Sequence, residues 1–328
     1  MDIQELDRTV EFYFCNGLAS TTQRSYNSAK KRYKAFCMQN SISPLPASEQ
    51  LLSRFISHLA NENLCHSTLK CYLSAIRHLH VQEGYGDPRI SGMARLEQVL
   101  RGIKITQAKR LSMKSQARMP ITPDLLRKMK GAWEKEQDVR DGAMLWAAAS
   151  LCFFGFLRSG EITVPSDSAF EEGTHLTFRD VAVDNLDSPK SMRVTIKASK
   201  TDPFRMGVDV YVGRTQDALC PVRAMLDYLV VRGPSPGPLF LFCNGKHLTR
   251  VRLVTKVREA LASAGVDHSA YSGHSFRIGA ATTAAKQGIS DATIKMLGRW
   301  KSSAYQLYIK TPKEQLASIS QRLVGGTS

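Results

Sequence analysis

Apolar residues in the first third of the chain recur every three to four positions, the period of helices that bury one face. Tyr26, Ala29, Tyr33, Phe36 and Cys37 form one such stripe, with Ser20 or Thr21 placed to cap its start. Pro44 and Pro46 interrupt the chain. Ser48 then precedes a second stripe, Leu51, Leu52, Phe55, Ile56 and Leu59. Ser67 precedes a third, Leu69, Tyr72, Leu73, Ile76 and Leu79. A serine ahead of an apolar run marks a helix start because its hydroxyl accepts from a free N–H group of the first turn. Gly84, Gly86 and Pro88 close the third helix, and residues 90–104 fit one more.

The pattern changes after position 104. Residues 104–119 hold Lys104, Lys109, Arg110, Lys114 and Arg118, no acid and few large apolar side chains, which reads as a linker between two folding units. Thr122 followed by Pro123 opens a helix that reaches about Glu136. Residues 139–154 are apolar on almost every side and predict a buried central helix. Three short strands are predicted at 175–183, 191–198 and 207–212, the second alternating Met192, Val194 and Ile196 with polar residues. Ser199-Lys200-Thr201-Asp202-Pro203 has the chemistry of a hairpin turn. Helices are predicted at 219–231, 249–264 and 313–323, and Gly325-Gly326-Thr327-Ser328 predicts a disordered tail. The expected fold is mainly α and in two domains. A helical bundle covers 1–108, a basic linker 109–119, and an α+β domain with a small three-stranded antiparallel sheet 120–328.

Charge narrows the function. The chain carries a formal net charge of +16. Residues 1–118 hold 17 Lys and Arg against 9 Asp and Glu, and residues 119–328 hold 28 against 20, so the first part carries the same excess on about half the length. Such an excess points to a polyanionic partner. Arg24, Lys30, Lys31, Lys34, Lys70 and Arg77 lie on helices with few acids at i±4 to balance them, and Lys109, Arg110, Lys114 and Arg118 suit a strap along a phosphate backbone. No apolar run approaches the roughly 18 residues that span a bilayer, so no membrane partner is expected. The polar, acidic N-terminus does not read as a secretory signal. The seven cysteines include no Cys-x-x-Cys pair and never cluster with histidine at ligand spacing. A reducing intracellular compartment is expected, and the nucleus if the host is eukaryotic.

Four stretches and one lysine carry candidate chemistry. Gly155-Phe156-Leu157-Arg158-Ser159-Gly160-Glu161-Ile162 ends the buried helix, and Lys200 sits at the hairpin tip. Gly273-His274-Ser275-Phe276-Arg277 turns a histidine and an arginine to one face at a helix start, where free N–H groups suit a phosphate. Leu297-Gly298-Arg299-Trp300 ends in an indole donor, and Tyr305-Gln306-Leu307-Tyr308-Ile309-Lys310 carries two tyrosines. His-x-x-Arg alone is a weak signal, but the ordered set is not. The order Arg158, Lys200, His274-x-x-Arg277, Trp300, Tyr308 resembles that of the tyrosine recombinase/integrase superfamily, which includes phage integrases, Xer recombinases and Cre. The flanking sequences most resemble recombinases of eukaryotic DIRS-type or Crypton mobile elements. The resemblance covers nearly the whole chain, and the first third is similar to the helical, SAM-like core-binding domain of that family.

The resemblance implies a site-specific recombinase that cleaves and rejoins double-stranded DNA through a covalent 3′-phosphotyrosyl link, with no metal and no cofactor. Tyr308 is the expected nucleophile, and Arg158 and Arg277 the clamps on the non-bridging oxygens, since a guanidinium fork bonds phosphate bidentately. His274 is expected to help accept the phenolic proton, Trp300 to donate its indole N–H, and Lys200 to protonate the leaving 5′-oxygen. Glu161 is expected to orient its neighbours. Trp300 stands where many members have histidine and Cre-like members have tryptophan, and eight residues before Tyr308 where nine is commoner. Tyr305 is a rival nucleophile, but Tyr-Ile-Lys matches the family's usual nucleophile context. Self-association on DNA as a dimer or tetramer is expected. The alternatives are a catalytically silent DNA-binding protein derived from such an enzyme and a helical protein–protein scaffold.

Overall fold

The protein is described by a computed structural model over residues 2–88, 92–111, 118–199, 202 and 204–309, with side chains to Lys109 in the helix that ends at Leu111. It divides into two compact units, Met1–Ser115 and Gln116–Ser328.

The first unit is helical: α1 (Ile3–Asn16), α2 (Ser20–Gln39), α3 (Glu49–Asn61), α4 (His66–Gln82) and α5 (Ala94–Leu111). The apolar stripes meet in one core, where Tyr33, Leu52, Phe55, Ile56, Leu59, Leu69, Ile76 and Leu96 are fully buried. Each such side chain contributes about 1.5–3 kcal/mol on leaving water. Ser48 caps α3 by accepting from Leu51 N. The other two expected caps do not form. Ala19 precedes α2, so Ser20 and Thr21 lie inside it. Cys65 precedes α4, and the Ser67 hydroxyl is engaged with the Cys65 thiol at 3.2 Å.

Two features depart further from the sequence pattern. Helix α1 has no buried residue, so no core stripe announces it. It is held through the Phe14 ring, 4.8 Å from that of His78, and through Gln82, which donates to Glu11 at 3.1 Å. Helix α5 runs past position 104. Gln107 keeps it folded by donating to Leu64 O at 2.8 Å and accepting from His66 N at 2.9 Å. Lys104 and Lys109 therefore sit on a helix, not in an extended strap.

The second unit is built on α7 (Val139–Phe154), which is buried from Met144 to Phe153 and capped by Asp138. Around it pack α6 (Pro123–Trp133), α9 (Pro221–Arg232) and α11 (Ser275–Lys286). Thr122 caps α6 as expected, by accepting from Leu125 N. Strands β1 (Val181–Val183), β2 (Ser191–Ile196) and β3 (Val208–Gly213) form an antiparallel sheet in that order, with Val194 opposite both Val181 and Val210. The first strand is shorter than predicted. Asp180 accepts from Thr177 N and Oγ1, which folds Phe178–Asp180 into a 3-10 turn. The short α8 (Ser159–Ile162) follows α7, α10 (Arg250–Ser263) precedes α11, and α12 (Asp291–Leu297) and a 3-10 turn (Ser303–Leu307) follow it. The sequence pattern does not mark α12, which buries only Ile294. The helix expected at 313–323 and the tail lie outside the described residues. Among the described residues no helix is long and apolar enough to cross a membrane.

Candidate active site

Helix α7 ends at Gly155, and Phe156 then adopts a left-handed φ of 51°. A side chain pays a steric penalty there. The reversal sends the chain into Arg158, the residue that opens α8. Glu161 folds back on that start. Its Oε2 accepts from Arg158 N at 2.8 Å, and its Oε1 from the Arg158 guanidinium at 2.9 Å. Arg299 also donates to Glu161 Oε2, at 2.7 Å. The Glu161 side chain is only 3% exposed, against 19% and 17% for the two arginines.

The loop before α11 reaches this turn because Gly273 has no side chain. A Cβ on Gly273 would lie 2.2 Å from Ser159 Oγ. His274 follows as the first residue of the α11 start, half-buried. Burial holds its imidazole below its ordinary pKa, and Arg118, Arg250, Arg277 and Arg158 push the same way. The neutral ring is thus the resting form. Stability from this shift is fully present above the ordinary imidazole value of about 6.5 and is lost as pH falls through the lowered one. An NMR titration of the His274 ring protons should place its midpoint below that of an unstructured histidine. A midpoint at or above it would show that the arginines do not act on this ring.

Arg277 is completely buried. Its guanidinium lies 4.3 Å from the Trp300 ring centre and 5.9 Å from that of Tyr308, and it donates to Gly298 O. Among the described residues its Nε and one terminal nitrogen have no hydrogen-bond partner. Buried donors without partners are rare because each costs about 1–3 kcal/mol. Burial first, and then Arg158, push the Arg277 pKa down to about 10. Trp300 is held over this group by Gly298, where a Cβ would lie 1.6 Å from the indole.

The two tyrosines have different surroundings. Tyr305 is buried, its ring 6.3 Å from Trp300, and its hydroxyl donates to Asp291 at 2.9 Å, which raises its pKa. Tyr308 is half-buried, its ring 5.2 Å from Trp300 and 6.5 Å from His274. Its carbonyl accepts from Thr282 Oγ1 at 3.1 Å. The structure therefore brings Arg158, Glu161, His274, Arg277, Trp300 and Tyr308 together and leaves Tyr305 facing a carboxylate. Lys200 lies outside the described residues.

Sequence reasoning passed over Arg299. The available signal was spacing: Arg299 stands nine residues before Tyr308, where Trp300 stands eight. Its φ of 53° is left-handed, which lets consecutive side chains project to two parts of the site.

The basic residues of the first unit divide in two. Arg24, Lys31, Lys34 and Lys70 are exposed, as are Lys109 and, in the second unit, Arg118. Lys30 is not a free surface charge. It is half-buried and donates to His78 at 3.0 Å and Gln82 at 2.6 Å, and burial lowers its pKa. Arg77 is balanced after all, by a bidentate pair with Asp87 ten residues on, which an i±4 inspection misses. The Arg110 side chain and Lys114 lie outside the described residues. Among the described residues, Asp138, Asp141 and Cys243 bring potential ligand atoms within 4.8 Å of one another. Asp138 is already occupied in capping α7, and Asp141 accepts from Cys243 N and Sγ, so nothing there calls for an ion.

No protein-family profile matches the chain. In sequence it is 25% identical over 297 residues to an integrase/recombinase, a XerD homologue of Selenomonas ruminantium, covering 87% of this chain and 79% of the relative. In fold it is similar to the XerH site-specific recombinase in a post-cleavage complex with palindromic difH DNA, with a TM-score of 0.62 and 17% identity, covering 91% of this chain and 79% of the other. It is also similar to a lambda integrase dimer bound to a COC′ core site, with a TM-score of 0.60 and 17% identity over 93% and 94% of the two chains. The Tn1549 transposon integrase with circular intermediate DNA gives a TM-score of 0.60 at 13% identity, again over 93% and 94%.

Proposed function

We propose that this chain, similar in sequence and in fold to tyrosine recombinases of the integrase superfamily, is a site-specific DNA recombinase with Tyr308 as its nucleophile. The observation that carries the reading is Arg277, a buried guanidinium with two unpartnered nitrogens beneath Trp300 and Tyr308. Such donors suit an oxyanion brought to the tyrosine.

The step balances without an outside reagent. Tyr308 Oη forms a bond to phosphorus as the bond from phosphorus to the 5′-oxygen breaks. His274, neutral at rest, takes the phenolic proton, which tyrosine otherwise holds to about pH 10. Lys200 gives a proton to the departing oxygen. Arg158 and Arg277 carry the charge that grows on the non-bridging oxygens, so the reaction needs no metal. One ester replaces another, and a second DNA 5′-hydroxyl reverses the step without ATP. Arg24, Lys31, Lys34, Lys70 and Lys109 of the first unit, and Arg118 of the second, are exposed cations that suit the duplex phosphates. The motif likeness to DIRS-type and Crypton recombinases supports mobile-element DNA as the substrate.

The test is incubation with nicked DNA duplexes in excess chelator, across a range of salt. A covalent protein–DNA band that survives denaturation is expected, with binding that falls steeply as salt rises through counterion release. A band that needs added magnesium, or binding indifferent to salt, would overturn the reading.

A further inference from the structure

We propose that Arg299 is a positioning residue that neutralises Glu161 and so frees the charge of Arg158 for the DNA phosphate. The inference rests on the recombinase reading above and adds a residue to its machinery.

Charge at short range sets what Arg158 can offer to a phosphate. Arg158 and Glu161 alone form an ion pair of net charge zero, with Glu161 bonding both the guanidinium and the backbone N–H of Arg158. A carboxylate with a 3% exposed side chain has no water to screen it. Left in that pair, it would cancel the arginine meant for the phosphate and repel the phosphate itself. Arg299 changes the sum. It reaches Glu161 Oε2 from the far end of the unit, 138 residues on, and makes the group one carboxylate between two guanidinium ions. The net charge becomes +1. Arg158 can then keep one N–H on Glu161, which holds it in place, and turn its remaining donors to phosphate.

Arg299 is built for this task and not for direct contact. Its side chain is largely buried, and its other contact is with Gly155 O at 3.5 Å, on the turn that carries Arg158. The left-handed backbone at Arg299 aims its side chain at Glu161 while Trp300 covers Arg277. A prop of that shape without charge would leave the Glu161 carboxylate half-balanced.

Neutralisation and simple bracing differ in a double-mutant cycle. The probe is a set of nicked duplexes enriched from a random-sequence pool by binding to the parent protein, and the readout is the rate of covalent adduct. Arg299→Gln should slow adduct formation roughly 100-fold, the scale of a lost oxyanion donor, with little change in DNA affinity. Adding Glu161→Gln removes the charge that Arg299 balances, so the double variant should be faster than Arg299→Gln by about tenfold or more. Arg299→Lys keeps the charge and should stay within about tenfold of the parent, which also serves if the glutamine variant does not fold. A double variant no faster than Arg299→Gln, or a lysine variant as slow as glutamine, overturns the inference while the parent's adduct leaves the recombinase reading intact. A parent that forms no adduct overturns both.

Discussion

Tyr308→Phe binds DNA as the parent does and forms no covalent adduct. The substitution removes one oxygen and keeps the ring, so the tilted ring contact with Trp300 and the Thr282 bond to the backbone carbonyl survive. Loss of a nucleophile leaves no partial route to a phosphotyrosine, and the expected effect is complete. Tyr305→Phe is the control. The Tyr305 hydroxyl donates to Asp291, a partner that disfavours the phenolate an attack requires. That variant should keep adduct formation and lose about 1 kcal/mol of stability with its hydrogen bond. Gel separation of denatured complexes decides the matter. Adduct from Tyr308→Phe and none from Tyr305→Phe would reverse the assignment.

Arg277→Met lowers the rate of adduct formation about 100- to 1,000-fold, yet leaves the fold close to its original stability. Opposing effects keep the stability near that of the parent. The variant loses the stacking of a cation on Trp300, a loss of about 2 kcal/mol in a buried setting, and the hydrogen bond to Gly298 O, about 1 kcal/mol more. It also removes two buried nitrogens that have no partner among the described residues, each of which costs about 1–3 kcal/mol. Methionine fills most of the space left by the stem. A substrate whose bridging 5′-oxygen is replaced by sulfur separates this residue from Lys200. A thiolate leaves without a proton, so Lys200→Ala should regain nearly the parent's rate on it. Arg277→Met should not, because the role proposed for this arginine is to carry charge on the non-bridging oxygens. Sulfur rescue of Arg277→Met would place this arginine near the leaving group, and no rescue of Lys200→Ala would make that lysine a phosphate contact.

The parts of the fold that could be read in advance are those in which one local rule decides. The stripes from Leu51 and from Leu69 bury as their period requires, and the Thr122-Pro123 start and the wholly apolar α7 stand where they were expected. The Ser20 and Ser67 caps failed because other residues could open those helices and nothing in the local pattern ranks them. Helix α1 and α12 escaped because a helix with few buried side chains writes almost no period into the sequence. In the site, the order of Arg158, His274, Arg277, Trp300 and Tyr308 was legible as a motif. The Glu161–Arg299 pair was not, since 138 residues separate its members and neither belongs to a pattern that points at the other. Lys30 and Arg77 show the same limit on the surface: a histidine 48 residues away engages the ammonium and a carboxylate ten residues away pairs with the guanidinium, and both cations look free in one dimension.

The two unpartnered nitrogens of Arg277 have a thermodynamic consequence. A folded state with an unmet demand for an acceptor is stabilised by whatever meets it, and the unfolded chain has no such preference. Occupancy is therefore linked to folding, by about 2.7 kcal/mol when an oxyanion is present at 100 times its dissociation constant. Inorganic phosphate should raise the melting temperature of the parent, and of Arg277→Met far less. The melting curve thus becomes a gauge of how the site is filled, and it can be read before any recombination sequence is known.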